Sequence, residues 1–313
     1  MTGYLMTADS AMWQLPELLE WQVTHTDGET CDCAQVEFVY APAQLPALRR
    51  GFRLRLEEDG KTEFFGVVDE VCVCAGEDGS RGVICARGLQ ALLMDNEERG
   101  LRFVRMTHGE VLRRFVLPYG IPRVEAPEIL PPVENFSLET GGTAWQALRG
   151  FCRHSAGIFP RFTADGTLLL TNRDPGFFTV GEKNGVIRCE FRLCRYGLAT
   201  RHEILSTANQ TTETAENPEF LALGGSCRRV TLRQSRSLYA DWRTARQRIE
   251  DECGRAVRLA LTVPGTPEAE PGDRVRVELP AMGIGEEFVL CEVSRSLSQR
   301  GRETELILKG GLV

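Results

Sequence analysis

Apolar and polar residues alternate along most of this chain, and two of the alternating stretches are near copies. The first is Gly51-Phe-Arg-Leu-Arg-Leu-Glu57 and the second is Gly272-Asp-Arg-Val-Arg-Val-Glu278. Successive side chains of a strand point to opposite faces. Arg53, Arg55 and Glu57 therefore share one face, as do Arg274, Arg276 and Glu278, with aliphatic residues on the other. A second apolar run follows each copy, Glu63-Phe-Phe-Gly-Val-Val-Asp-Glu-Val71 and Glu287-Phe-Val-Leu-Cys-Glu-Val293. Each copy ends on a third strand closed by a basic residue and a glycine, Arg87-Gly88 and Lys309-Gly310. Two copies are too few for a solenoid. They predict two similar β-domains in one polypeptide.

Between and around the copies the period changes in an orderly way. Strand-like runs Leu19–Val23 and Ala34–Tyr40 flank Asp27-Gly28, a hairpin signal. With turns at Asp59-Gly60 and Asp78-Gly79, residues 1–97 read as a first small antiparallel barrel. Thr107-His-Gly-Glu110 is a capping box that opens a short helix, stopped by Pro118 and Gly120. A proline-rich stretch, Pro122 to Pro132, reads as a stiff loop. Thr143-Ala-Trp-Gln146 opens a second helix whose Trp145, Leu148, Phe151 and Cys152 lie along one face, with Gly157 placed to end it. A hairpin through Asp165-Gly166 completes an α+β middle domain over 98–186.

Strands resume at Gly185–Cys194 and Ala199–Leu205. Ser206 to Glu219 is polar and reads as a solvated loop, and Gly224-Gly-Ser-Cys-Arg228 reads as another. Leu238 to Cys253 reads as a helix with Trp242, Ala245 and Ile249 on one face and Gly254 as its stop. The second barrel is thus expected over 187–206 and 256–313, interrupted by a loop-helix insertion over 207–255. The expected class is α+β, mainly antiparallel β, with two β-barrel domains, the middle α+β domain and the helical insertion.

Composition sharpens this in a few places. The chain has 313 residues, enough for several small domains, and is 42% hydrophobic, enough for a sizeable core. Its formal charge is −7, and its only lysines are Lys61, Lys183 and Lys309. Arg-rich but net acidic chemistry suits forked pairing with carboxylates better than a phosphate backbone. No specific nucleic-acid binding is expected. The opening Met1–Ala8 has no basic segment or long apolar run, no stretch approaches a membrane span, and cytoplasmic synthesis with free thiols is expected.

Candidate chemistry is sparse. Phosphate-loop, dinucleotide and metalloprotease motifs are absent, and His25, His108, His154 and His202 fall in different elements. Cys31 and Cys33 form one C-x-C pair and Cys72 and Cys74 another; two such strands could bring four thiolates to a zinc ion, but both pairs also read as ordinary strand residues. No catalytic residue, cofactor or metal is assigned. The most informative polar feature is the duplicated Arg-Arg-Glu face. It reads either as the wet side of an antiparallel sheet or as a ring-forming face.

In its ordered set of elements the chain resembles the baseplate hub proteins of contractile phage tails and related injection machines, the late control protein D-like family. The strand set Gly51–Glu57, Glu63–Val71 and Val83–Leu89 carries the likeness. So do the stretch Thr143-Ala-Trp-Gln-Ala-Leu148 through Asp165-Gly-Thr-Leu-Leu-Leu170, the helix around Trp242–Glu252, and the ending from Pro271-Gly-Asp-Arg-Val-Arg-Val277. The resemblance implies a non-enzymatic virion or particle component in the tail baseplate. It implies a homotrimer whose six tail-tube-like barrels form a ring joining a sixfold tail tube to a threefold central spike. The tail tube protein, the central spike protein, other baseplate proteins and the tape measure protein would be its partners. The Arg-Arg-Glu residues would then be ring-interface candidates. A tail-associated cell-wall hydrolase and a distal-tail adaptor of a non-contractile tail are the alternatives.

Overall fold

A computed structural model describes residues 1–9, 11–77, 79–126, 128–206, 210–233 and 244–312. The dominant feature is one open sheet of thirteen strands, nearly all antiparallel. Its strand order runs from Arg188–Leu193 at one end, through Val257–Pro264, Gly301–Gly310, Ile284–Ser298, Leu18–Thr26, Cys33–Val39, Gly79–Gly88, Lys61–Gly76, Gly51–Glu58 and Thr2–Thr7, to Met12–Gln14 at the other. Arg274–Leu279 branches from Ile284–Ser298 and pairs in parallel with Phe177–Gly181. The strands expected for two separate barrels are joined in one continuous sheet, and no closed barrel is detected among the described residues. The cause is a long-range pairing: Trp21–Thr26 runs antiparallel to Glu292–Leu297, joining the two ends of the chain.

The two copies are meanders in the same register. Arg53 lies opposite Val67, which lies opposite Arg87. Arg274 lies opposite Val289, which lies opposite Lys309. Each middle strand then shifts register one residue later, between Val68 and Glu70 and between Leu290 and Glu292. Such a bulge bends a strand and strengthens its twist. The sequence alignment placed Glu63 with Glu287; by strand register Val67 is the equivalent of Val289, a shift of two. The even shift keeps every side chain on its face, and the longer turn at Pro280–Met282 is partly offset by a bulge in the first copy between Leu56 and Glu57.

Three apolar clusters underlie this frame. One packs Leu5, Trp21, Val36, Phe38, Leu54, Leu56, Phe64 and Ile84. Another packs Leu259, Leu261, Val275, Val277, Phe288, Val293 and Leu308. The third gathers Met106, Phe115, Phe136, Trp145, Leu148, Phe151 and Leu168 beneath the helix Ala144–Ala156. Both capping boxes form: Thr107 and Thr143 accept from the amides of Glu110 and Gln146. Gly157 ends the second helix in the left-handed conformation.

Several loop readings are overturned. Ser206–Glu219 contains the strand Thr211–Glu216, because its β-branched threonines pair with Arg201–Ser206. Arg228–Arg233 adds a third, parallel strand to that small sheet. The proline-rich stretch contributes Arg123–Glu125, paired in parallel with Thr167–Leu169. Leu101–Met106 and Val133–Leu138 form a further antiparallel pair. The late helix spans Ala245–Ala256 behind a Thr244 capping box, and Gly254 lies within it rather than stopping it. Leu238 to Arg243, with Trp242, lie outside the described residues.

Candidate assembly face

The period-two pattern of Gly51–Glu58 places Leu54 and Leu56 in the core and leaves Arg53, Arg55 and Glu57 half-buried opposite them. Arg274–Leu279 does the same, with Val275, Val277 and Leu279 buried and Arg274, Arg276 and Glu278 outward. Each triplet therefore shares a face, and the two triplets stand on separate meanders. Neither strand is a sheet edge: Thr2–Thr7 pairs along the first and Phe177–Gly181 along the second. Only side chains of these strands can meet a partner.

Within each face the pairs are local. Arg55 Nη2 lies 2.6 Å from Glu57 Oε1 and also donates to Thr62 Oγ1 at 3.0 Å. Arg276 Nε lies 3.7 Å from Glu278 Oε1. Exposed pairs of this kind contribute only about 0.2–1 kcal/mol. Among the described residues no ion pair engages Arg53 or Arg274. The Arg53 guanidinium lies over the Phe52 ring, 4.9 Å from its centroid, with Nη1 buried and without a hydrogen-bond partner. Burial lowers its pKa from the ordinary arginine value. These two arginines are equivalent by register, and each is the first residue of its strand to pair with the long middle strand.

The thiols do not converge on a metal centre. Cys72 and Cys74 face each other with sulfurs 3.6 Å apart on the exposed part of their strand, whereas Cys31 lies against Met94 Sδ at 3.3 Å. Burial pushes the Cys31 thiol up to about 12, and the hydrogen bond it shares with Cys74 raises the Cys72 thiol. Among the described residues no cluster of three or more His, Cys, Asp or Glu side chains could hold a metal ion.

The histidines are separate. His25 Nδ1 meets Asp32 Oδ2 at 2.9 Å. His202 is 3% exposed and meets Glu252 Oε1 at 2.9 Å, fastening the small sheet to the late helix. His108 Nδ1 accepts from the Leu130 amide at 3.1 Å, and burial lowers its pKa. His25, His202 and His108 thus each hold a local contact in a different part of the fold.

One structural position escapes the pattern. Asp273, 5% exposed, accepts from the Gly176 amide at 2.7 Å, from the Glu270 amide at 2.9 Å and from Arg173. It clasps the end of the middle segment to the second meander. Pro271-Gly272-Asp273 was legible only as a turn before a strand; Gly272, at φ +97°, supplies the positive φ that turn requires.

Comparison with known proteins agrees with this architecture. Residues 93–172 match the family model described as baseplate hub protein gp44-like, second domain. No curated protein matches the chain by sequence. Among solved structures, the tail protein from Neisseria meningitidis MC58 superposes with a TM-score of 0.74 at 18% identity, covering 99% of this chain and 96% of that one. The 43 kDa tail protein of prophage MuSo2 from Shewanella oneidensis gives 0.74 at 16% identity, covering 98% and 97%. The Escherichia coli c3393 protein gives 0.54 at 13% identity, covering 93% and 73%. It is described as a type VI secretion component with structural similarity to bacteriophage T4 tail proteins gp27 and gp5.

Proposed function

We infer that the chain is baseplate hub-like, from its match over residues 93–172 to a baseplate hub domain and from its mostly antiparallel β fold, which is like that of phage tail proteins. From that premise we propose that it is the structural baseplate hub of a contractile tail, located in the tail of a virion or related particle. Three copies form a ring of six pseudo-equivalent units that joins the sixfold tail tube to the threefold central spike. The observation that carries this reading is the duplicated meander. Arg53–Val67–Arg87 and Arg274–Val289–Lys309 repeat one register within a single chain. A chain holding two like units gives a threefold assembly a sixfold face, which is what a coupler between those symmetries requires.

In this reading Arg53, Arg55, Glu57, Arg274, Arg276 and Glu278 face neighbouring units. The tail tube protein and the spike are the main partners, with other baseplate proteins and the tape measure protein around them. The role is mechanical and needs no cofactor. A net charge of −7 also suits a passage that anionic cargo must cross without sticking.

Native mass spectrometry of the purified chain tests this: a three-copy species at high concentration is expected, and its absence at every concentration overturns the reading. Arg274→Glu is expected to lower the trimer fraction while leaving monomer unfolding in place, since Arg274 is exposed and has no ion pair among the described residues.

A further inference from the structure

Among the open strand edges of the described residues, two correspond to a pair already joined within the chain, and that join indicates what fills them. The long strand Ile284–Ser298 has a second half whose edge is occupied by Trp21–Thr26. Its register equivalent, Lys61–Gly76, pairs with Gly51–Glu58 only as far as Val67. Beyond Val67 that edge, from Glu70 to Ala75, has no partner among the described residues. Arg188–Leu193 ends the sheet, so its outer edge is open as well.

These two edges are the counterparts of the pair already joined. Arg87 and Lys309 are equivalent; their neighbours Cys33 and Arg258 are therefore equivalent, and so are Val36 and Leu261. Val36 pairs with Trp21 and Leu261 with Cys189, so Leu18–Thr26 in the first half corresponds to Arg188–Leu193 in the second. On the opposite side Glu292 corresponds to Glu70 and Leu297 to Ala75. Within one chain the second meander receives the outer strand of the first half. Its counterpart is the first meander receiving the outer strand of a second half, and that must come from another copy.

We propose that Glu70–Ala75 of one copy pairs antiparallel with Arg188–Leu193 of the next, in the register of the internal join. The inference rests on the hub reading and names the contact that closes its ring. The register follows from Val293 opposite His25, Arg295 opposite Val23 and Leu297 opposite Trp21. It sets Val71 opposite Leu193, Val73 opposite Phe191 and Ala75 opposite Cys189.

The side chains agree with this register. Val73 is 39% exposed and Phe191 46% exposed, although both lie on sheet faces that pack against apolar clusters in their neighbours Val71, Cys189 and Leu193. At the internal join the corresponding Trp21 and Val23 are buried. On the other face Cys72 falls opposite Arg192, in the place where Ser294 meets Thr24 at 2.9 Å. Glu70 is diagonal to Arg192, and neither has an ion pair among the described residues, so the pairing would supply one. A head-to-tail join of unlike edges closes into a ring when its rotation permits. Arg53 lies where the open edge begins, which explains why it lacks an ion pair.

A charge-swap series on the full chain tests this by native mass spectrometry. Val73→Glu alone and Phe191→Lys alone are each expected to weaken association about tenfold or more per join, shifting trimer to monomer. The double variant is expected to recover trimer, because the two new charges face each other. Far-ultraviolet circular dichroism and melting of each monomer check that the fold is kept. A wild-type trimer that both single variants leave intact overturns this join and leaves the hub reading standing. Loss of trimer in both without recovery in the double variant overturns the register. A wild-type chain that never forms a trimer overturns the join together with the hub reading.

Discussion

Thr24 and Ser294 lie 270 positions apart in the chain, and their hydroxyls meet at 2.9 Å inside the sheet. Gln22 Nε2 adds a bond to the same Ser294 oxygen at 2.7 Å. This contact marks the line where the first and last segments become one sheet. Removing one hydroxyl leaves its partner buried and short of a bond, at a cost of about 1–3 kcal/mol; removing both costs less than the sum. Thr24→Val, Ser294→Ala and the double variant in urea unfolding should therefore give a clear coupling term. Additive effects would mean that the two hydroxyls do not interact.

Asp273 carries a second load across segments. It accepts from two backbone amides and from Arg173 while almost fully buried. Asp273→Ala strands those donors and is expected to destabilise the chain by about 2–4 kcal/mol. Asp273→Asn keeps one acceptor oxygen and should cost less. Thermal unfolding of the two variants measures the order.

His108 gives the chain an acid-sensitive point. The Leu130 amide donates to its Nδ1, so that nitrogen must be unprotonated. Burial depresses the folded-state pKa below the ordinary value of 6.5. The unfolded chain therefore binds the proton more readily, and the contribution is complete above about pH 6.5 and lost as pH falls below it. His108→Asn supplies an oxygen acceptor without a titration. The loss of melting temperature between pH 7.5 and 5.5 should be smaller in that variant than in the wild type.

The duplicated faces separate by their ion pairing. Arg55→Ala removes a pair with Glu57 made within its own strand and should change monomer stability by no more than about 1 kcal/mol. Arg53→Glu and Arg274→Glu reverse charges that no carboxylate engages among the described residues, and should act on assembly. Sedimentation velocity across the three variants is expected to show marked trimer loss in the last two and a smaller loss in the first, whose charge is already engaged by Glu57.

Local chemistry in the sequence reveals much of this fold. Thr107 and Thr143 announce their helices because a capping box is written in four consecutive residues. The meanders announce themselves through alternation, and both arginine triplets lie on the faces that alternation assigns them. The pairing of Trp21–Thr26 with Glu292–Leu297 has no such local signature, since either strand pattern accepts many neighbours. Thr211–Glu216 looks like a loop because its polar side chains hide a strand that its partner Arg201–Ser206 and the late helix, through the Ala245 amide on Glu213, hold in place. Asp273 looks like an ordinary turn residue because the amides it binds belong to distant segments as well as its own.

The hub account is tested most directly by an end-on electron-microscopy average of the assembled particle at the level of this chain. Three copies presenting six similar lobes around one passage is the predicted image. A ring of six separate copies, or a twofold dimer, would contradict it.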